Sequence, residues 1–184
     1  MTSLLPQRSR RSRMRPGPDQ LTLAAEIRGG TVAPVPRGRK LRALAGCVVL
    51  DPGGRVLLLH RKGPREQWEM PGGKVDERES SEDAACRELH EELGLEVLVT
   101  DELGDARFRE QDVGWRYTWY LAHAVLGTPV IREPDRFDDL AFFQLNELVQ
   151  LTGQLSPNVR LFVMSYFEGR VLLPIRPGQR REQA

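Results

Sequence analysis

The chain has 184 residues, 40% hydrophobic and 29% charged, with a formal net charge of +1, the composition of one globular domain with room for a tail. Its apolar runs are strand-sized, as at Val56 to Leu59, far short of the roughly 20 residues that cross a bilayer, which excludes a helical membrane span. The arginine-rich first fifteen residues are not followed by an apolar stretch of about 7 to 15 residues, so secretory and twin-arginine signals are not expected, and an organelle transit peptide is the targeting alternative left open.

The near-neutral charge is a cancellation. Residues 1–42 carry ten basic side chains and two acidic ones, a net of +8, whereas the remainder carries 17 basic and 24 acidic, a net of −7. Residues 1–40 are rich in Arg, Pro, Gly and Ser and form an expected mobile, basic leader, in which only Asp19 to Arg28 has helical character. A solvated tail is the plain reading of the leader, and contact with nucleic acid the functional alternative. Cys47 and Cys86 form neither a disulfide framework nor a zinc pattern. They read as small buried hydrophobes in a reducing compartment, with the cytoplasm the expected location.

Organised structure is expected from Leu41 to about Arg170, with 171–184 a C-terminal tail. Ala43 to Leu50 and Arg55 to His60 are short apolar runs joined by the turn residues Asp51-Pro52-Gly53-Gly54, a hairpin-like pair. Trp68 to Gly73 reads as a strand end entering a glycine loop. A helix follows over about 81–93, then strands over Glu96 to Leu103, Ala106 to Glu110 and Trp115 to Leu126, with a turn at Gln111 to Gly114. Leu140 to Leu145 reads as another strand. Pro157 to Phe167, with Ser156 as N-cap and Pro at the first helical position, is a second helix. Strands and helices interleave without a repeat, so an α/β fold with a mixed sheet flanked by helices is the expected layering.

Chemistry concentrates in Gly73 to Leu95. On a helical wheel Glu88, Glu91 and Glu92 share a face roughly 100° wide, beside an apolar stripe of Ala85, Cys86, Leu89 and Leu93. Carboxylates at these spacings repel one another. A hard divalent cation reverses that sign, because Mg²⁺ takes a few carboxylates, keeps waters and accepts phosphate oxygens. The plain alternative is a solvated acidic face. Gly73, Glu79, Arg87-Glu88-Leu89, Glu91-Glu92 and Gly94-Leu95 fall at the nine specified positions of the Nudix box, preceded by Trp68-x-x-Pro71-Gly72-Gly73.

The chain therefore resembles the Nudix hydrolases. The resemblance implies an α/β/α sandwich that cleaves a nucleoside diphosphate linked to another moiety, using Mg²⁺ or Mn²⁺. By motif position, Glu88, Glu91 and Glu92 are the implied metal ligands, with the Gly73 carbonyl a further one. Arg87 is implied to orient Glu79, and Glu91 or Glu92 to activate the attacking water. The segment from Glu133 to Leu148 is similar to the acidic and then aromatic stretch of MutT-like nucleoside triphosphate hydrolases. It makes Glu133, Asp138, Asp139 and Phe142, with Lys74, candidate substrate-binding residues.

Trp115, Tyr117, Trp119 and Leu121 share one strand face, which reads as core, with stacking of one ring on a base the functional alternative. No proline marks the position some 15 residues past the box that would suggest ADP-ribose, and no coenzyme A signature precedes it. The resulting expectation is hydrolysis of a (d)NTP to the monophosphate and pyrophosphate. A nucleotide-sugar or ADP-ribose diphosphatase and a non-catalytic nucleotide-binding module are the alternatives. A small nucleotide substrate and no membrane partner complete the expectations, and the resemblance to the Nudix hydrolases leaves a homodimer open.

Overall fold

A computed structural model describes residues 41–174. Its strands are β1 (Arg42–Val49), β2 (Val56–Arg61), β3 (Gln67–Glu69), β4 (Gly72–Lys74), β5 (Glu96–Glu110), β6 (Val113–Leu126) and β7 (Phe137–Phe143). Its helices are α1 (Ser81–Leu93), α2 (Leu145–Gln150) and α3 (Pro157–Phe167), with a 3₁₀ turn at Thr152–Gln154. The leader's charge cluster and the Asp19 to Arg28 helix lie outside the described residues.

The turn at Asp51 forms as expected, with Gly54 N–H donating to Asp51 O at 3.0 Å and Arg55 N–H to the Asp51 carboxylate at 2.8 Å. The two runs it joins are nevertheless not a hairpin. Only Leu50 and Val56 bridge them. β1 lies between β4 and β6 in a four-stranded sheet ordered β4-β1-β6-β5, and β2 between β3 and β7 in a three-stranded sheet. The reason is in the side chains: Ala45 to Val49 and Val56 to Leu59 are buried without alternation, so each strand needs neighbours on both edges and cover on both faces. The four-stranded sheet is mixed, β1 and β6 running parallel and the other pairs antiparallel.

The two expected strands after α1 are one 15-residue strand, β5, which tolerates Gly104 and Asp101 through register shifts against β6. Gln111 and Asp112 both take positive φ, 48° and 64°, the combination that matches a two-residue turn to strand twist. β7 begins earlier than expected, at Phe137, and ends at Phe143, while Leu145 opens α2. There Glu147 Oε2 accepts from Gln144 N–H at 2.7 Å, a capping signal that overrides the apolar run.

α1 and α3 span the expected residues. Ser80 caps α1 by accepting from Asp83 N–H, and Gly94 closes it at φ 68°, a left-handed end that favours glycine. The buried residues Ala84, Ala85, Leu89 and Leu93 seat α1 on one face of the sheets, with Cys47, Ala122 and Phe137. Phe162, Val159 and Val163 of α3 cover the other face and meet Trp119, whose ring centroid lies 5.5 Å from that of Phe162. Burial pushes the Cys47 thiol up to about 12, so it packs as a hydrophobe.

Candidate active site

α1 packs against β1 and β4, and that contact assembles the site. β4 carries Gly72 opposite Gly46 of β1. A Cβ on Gly46 would lie 2.3 Å from Pro71 O and 1.9 Å from Tyr117 Oη, so β1 and the chain entering β4 approach only because the side chain is missing. At Gly73 a Cβ would lie 2.3 Å from Glu88 Cδ. The Glu88 carboxylate therefore sits directly over the β4 backbone.

Arg87 organises the acids. Its Nε and Nη2 donate to the two Glu79 oxygens at 3.1 and 2.7 Å, and its Nη1 donates to Glu88 and Glu91, each at 3.0 Å. Nη2 also donates to Lys74 O at 3.1 Å, tying α1 to β4. Glu79 takes a further hydrogen bond from Asp76 N–H at 2.9 Å. The Arg87 guanidinium, helped by that backbone bond, holds the Glu79 carboxyl below the usual carboxylate range. Burial pushes Glu88 the other way, partly opposed by Arg87.

The three glutamates share a helix face but not an environment. Glu91 is exposed, Glu88 half-buried, and Glu92 only 1% exposed. Glu92 Oε2 accepts from Gly72 N–H at 3.0 Å. Its Oε1 is buried without a hydrogen bond, although Arg136 Nη2 stands 3.4 Å away, close enough for charge attraction and not aligned for a bond. Burial raises the Glu92 carboxyl from 4.5 to about 8, against the pull of Gly72 N–H and Arg136.

Beside these acids opens a cleft of about 530 Å³. Gly72, Gly73, Lys74 and Glu88 border it on the α1 side, and Arg61, Glu69 and Arg136 form a charged wall. Arg61 and Glu69 pair through two hydrogen bonds, at 2.9 and 2.5 Å. Arg65 and Glu110 pair at 2.6 Å at the rim. The far end is apolar, with Leu44, Met70, Phe108 and Trp115, and Arg42 lies 5.9 Å from the Trp115 ring centroid. Two buried polar groups interrupt that end. Tyr117 Oη faces the Asn158 side chain without a well-formed hydrogen bond, and Asn158 Oδ1 is taken by Ser156 Oγ–H and Val159 N–H.

Of the residues singled out from sequence, Gly73, Lys74, Glu79, Arg87, Glu88, Glu91 and Glu92 are brought together. Glu133 reaches the edge of this group through Arg136, whose Nη1 it binds. Asp138 pairs with His60 Nδ1 at 2.6 Å, Asp139 accepts from Leu140 N–H, and Phe142 pairs with Leu57 and packs in the α1-side core. Asp138, Asp139 and Phe142 are not among the residues that line the cleft. Of the aromatic strand face, Trp119 is core, whereas Trp115 and Tyr117 reach the cleft. Arg61, Glu69, Arg136 and Asn158 had no signal in residue spacing, because four separate segments supply them.

The residues match the NUDIX domain family over 40–164. The chain belongs to the NUDIX family. It is 34% identical to an RNA pyrophosphohydrolase of Saccharophagus degradans over 116 residues, 53% of this chain and 68% of that protein. It is 44% identical to an RNA pyrophosphohydrolase of Teredinibacter turnerae over 95 residues, 44% of this chain and 55% of that protein. A provisionally named 8-oxo-dGTP diphosphatase of Bacillus subtilis is 40% identical over 57 residues, 31% of this chain and 38% of that protein. The chain thus spans from about two thirds to little more than a third of the lengths of these relatives.

Among solved structures, a MutT NUDIX hydrolase from Burkholderia pseudomallei aligns with a TM-score of 0.52 at 32% identity, covering 64% of this chain and 100% of its own. A MutT protein from Methanosarcina mazei aligns with a TM-score of 0.61 at 19% identity, covering 72% of this chain and 96% of its own, a likeness of fold. NUDIX membership makes the chain a hydrolase of phosphorus anhydrides, with nucleotides as small-molecule substrates. Among the described residues no helix is long and apolar enough to cross a membrane.

NUDIX hydrolases generally work with a divalent cation. Among the described residues no three acidic, histidine or cysteine side chains converge on one point as they stand, because Arg87 holds Glu79, Glu88 and Glu91. The donor chemistry nevertheless fits a hard cation. The oxygens are carboxylate and carbonyl, Glu92 Oε1 is a buried oxygen without a hydrogen bond, and Gly73 leaves Glu88 its place over the β4 backbone.

Proposed function

We propose that this protein is a Mg²⁺-dependent nucleotide pyrophosphohydrolase that converts a (d)NTP to the monophosphate and pyrophosphate. The observation that carries the reading is the pairing of environments at Glu88 and Glu92. One carboxylate lies over the Gly73 backbone, and the other is buried on Gly72 N–H with one oxygen left without a hydrogen bond. A burial of that kind is costly unless a cation compensates it.

Glu88, Glu91 and Glu92, with the Gly73 carbonyl, would hold Mg²⁺, or Mn²⁺ in its stead. The cation supplies charge neutralisation at the phosphates and an acidified water. The chain's own residues do the rest. Arg87 fixes Glu79 and the α1 acids against β4, so the carboxylates are positioned before substrate arrives. Glu91, the exposed member, would accept a proton from the attacking water. Lys74 and Arg136 border the acids and offer cationic donors to phosphate oxygens. At the other end of the cleft, Trp115 and Phe108 offer stacking surface to a base, with Tyr117 Oη and Asn158 as polar contacts.

The relatives named RNA pyrophosphohydrolase favour a second substrate, the 5′-triphosphate end of an RNA. At about 530 Å³ the cleft has the volume for one terminal nucleotide, and the phosphate chemistry is the same. The full chain, assayed for phosphate and pyrophosphate release with Mg²⁺, separates the readings on a panel of (d)NTPs, 8-oxo-dGTP, ADP-ribose, a nucleotide sugar and triphosphorylated RNA. The expected result is turnover of a triphosphate, lost by at least about 100-fold in Glu91→Gln and in Glu92→Gln. Full activity of both variants, or binding of a nucleotide without cleavage of any on the panel, refutes the reading.

A further inference from the structure

Among the described residues four basic side chains line the cleft, and they differ in how far they are already committed. Arg61 is closed onto Glu69 by two hydrogen bonds and Arg65 onto Glu110. Lys74 is exposed. Arg136 is held on one side only. Its Nη1 donates to Glu133, and its guanidinium carbon stands 5.0 Å from the Phe137 ring centroid. Its Nη2 is turned toward the buried Glu92 Oε1 at 3.4 Å and makes no hydrogen bond there. The segment that carries it is itself strapped to α1, because Val130 and Arg132 donate backbone hydrogen bonds to Leu93 O and Glu92 O at 3.0 and 2.8 Å. Arg136 is thus fixed by its base, and its free edge lies between a buried carboxylate and the cleft.

A guanidinium in that place is a substitute for a cation. It offsets the Glu92 charge without closing a bond, which leaves the pair separable. Resting on the functional reading above, we propose that Arg136 is a partner-changing substrate-binding residue. It compensates Glu92 while the acidic site holds no metal, and presents the same guanidinium edge to a phosphate oxygen of the substrate once a divalent cation takes over at Glu92. The Glu133 bond and the Phe137 ring keep the base of the guanidinium in place during the exchange, and a planar fork is suited to phosphate. Cation and Arg136 compete for Glu92, so by linkage removal of one strengthens the other.

The test uses the full chain and calorimetric titration, first with Mg²⁺ alone and then with inorganic pyrophosphate at saturating Mg²⁺. The titrations are run at about pH 8 and again at about pH 9, so that competition by protons for the carboxylates shows as a difference between the two. Arg136→Gln is expected to bind Mg²⁺ at least about fivefold more tightly than the natural chain, and pyrophosphate about tenfold more weakly. Arg136→Lys, which keeps the charge and loses the fork, is expected to bind Mg²⁺ as the natural chain does and still to lose pyrophosphate affinity. It also serves as the folded control. An unchanged Mg²⁺ affinity in Arg136→Gln overturns the proposal, and so does an unchanged pyrophosphate affinity. Absence of Mg²⁺ uptake by the natural chain overturns the functional reading itself, a result distinct from either.

Discussion

Replacing Glu92 with glutamine removes a titration that burial has displaced. The carboxyl is 1% exposed and raised from 4.5 to about 8, with burial the largest cause. The folded chain therefore binds this proton more tightly than the unfolded chain. Between those two values the native state holds more protons, so metal-free protein loses stability as the pH rises through the interval and loses no more above it. At ~1.36 kcal/mol for each pH unit, the whole interval is worth about 5 kcal/mol. Water entry and relaxation around the charge reduce that figure, and about 2 to 4 kcal/mol is expected. Glutamine stays neutral at every pH and still offers an oxygen to Gly72 N–H. In urea unfolding with a chelator, Glu92→Gln should match the natural chain near about pH 5 and exceed it by about 2 to 4 kcal/mol near about pH 9. Added Mg²⁺ should reverse the order, because a ligand that binds only the native state raises its stability. A constant difference between the two chains across the pH range would refute the argument, since a packing effect has no such dependence.

Two glycines give further tests. Gly73→Ala places a methyl 2.3 Å from Glu88 Cδ. The carboxylate is the far end of a flexible side chain, so the fold survives while Glu88 is displaced, and activity on the preferred nucleotide should fall about 100-fold with a thermal midpoint within about 4 °C of the natural chain. Gly46→Ala instead drives a methyl against Pro71 O at 2.3 Å and Tyr117 Oη at 1.9 Å. Backbone cannot swing aside, and a loss of about 3 kcal/mol in urea unfolding is expected. A Gly46→Ala chain as stable as the natural one would mean that β1 and the entry to β4 are not as close as described.

The sequence by itself determined the parts whose signals are local. A helix over 81–93, with Ser80 or Ser81 to cap it and Gly94 to end it, follows from local signals, and the structure chooses Ser80; the face shared by Glu88, Glu91 and Glu92 follows from 3.6 residues per turn. The pairing of Arg87 with Glu79, implied by the resemblance to the Nudix hydrolases, is also present. Strand partners were not local. Ala43 to Leu50 and Arg55 to His60 are joined by a tight turn, yet burial on both faces sent them to different sheets. The same holds for the acids. A helical wheel places three carboxylates side by side and cannot tell that β4 closes over one of them. Only packing of α1 against Gly72 and Gly73 made Glu92 a buried carboxyl that titrates high, while Glu91 stayed in solvent. Packing likewise decided that Arg61, Glu69, Arg136 and Asn158, scattered over nearly a hundred residues of chain, share one cleft. Periodicity fixes which side of a helix a residue occupies; what stands opposite that side is set by long-range burial, which no single stretch of sequence encodes.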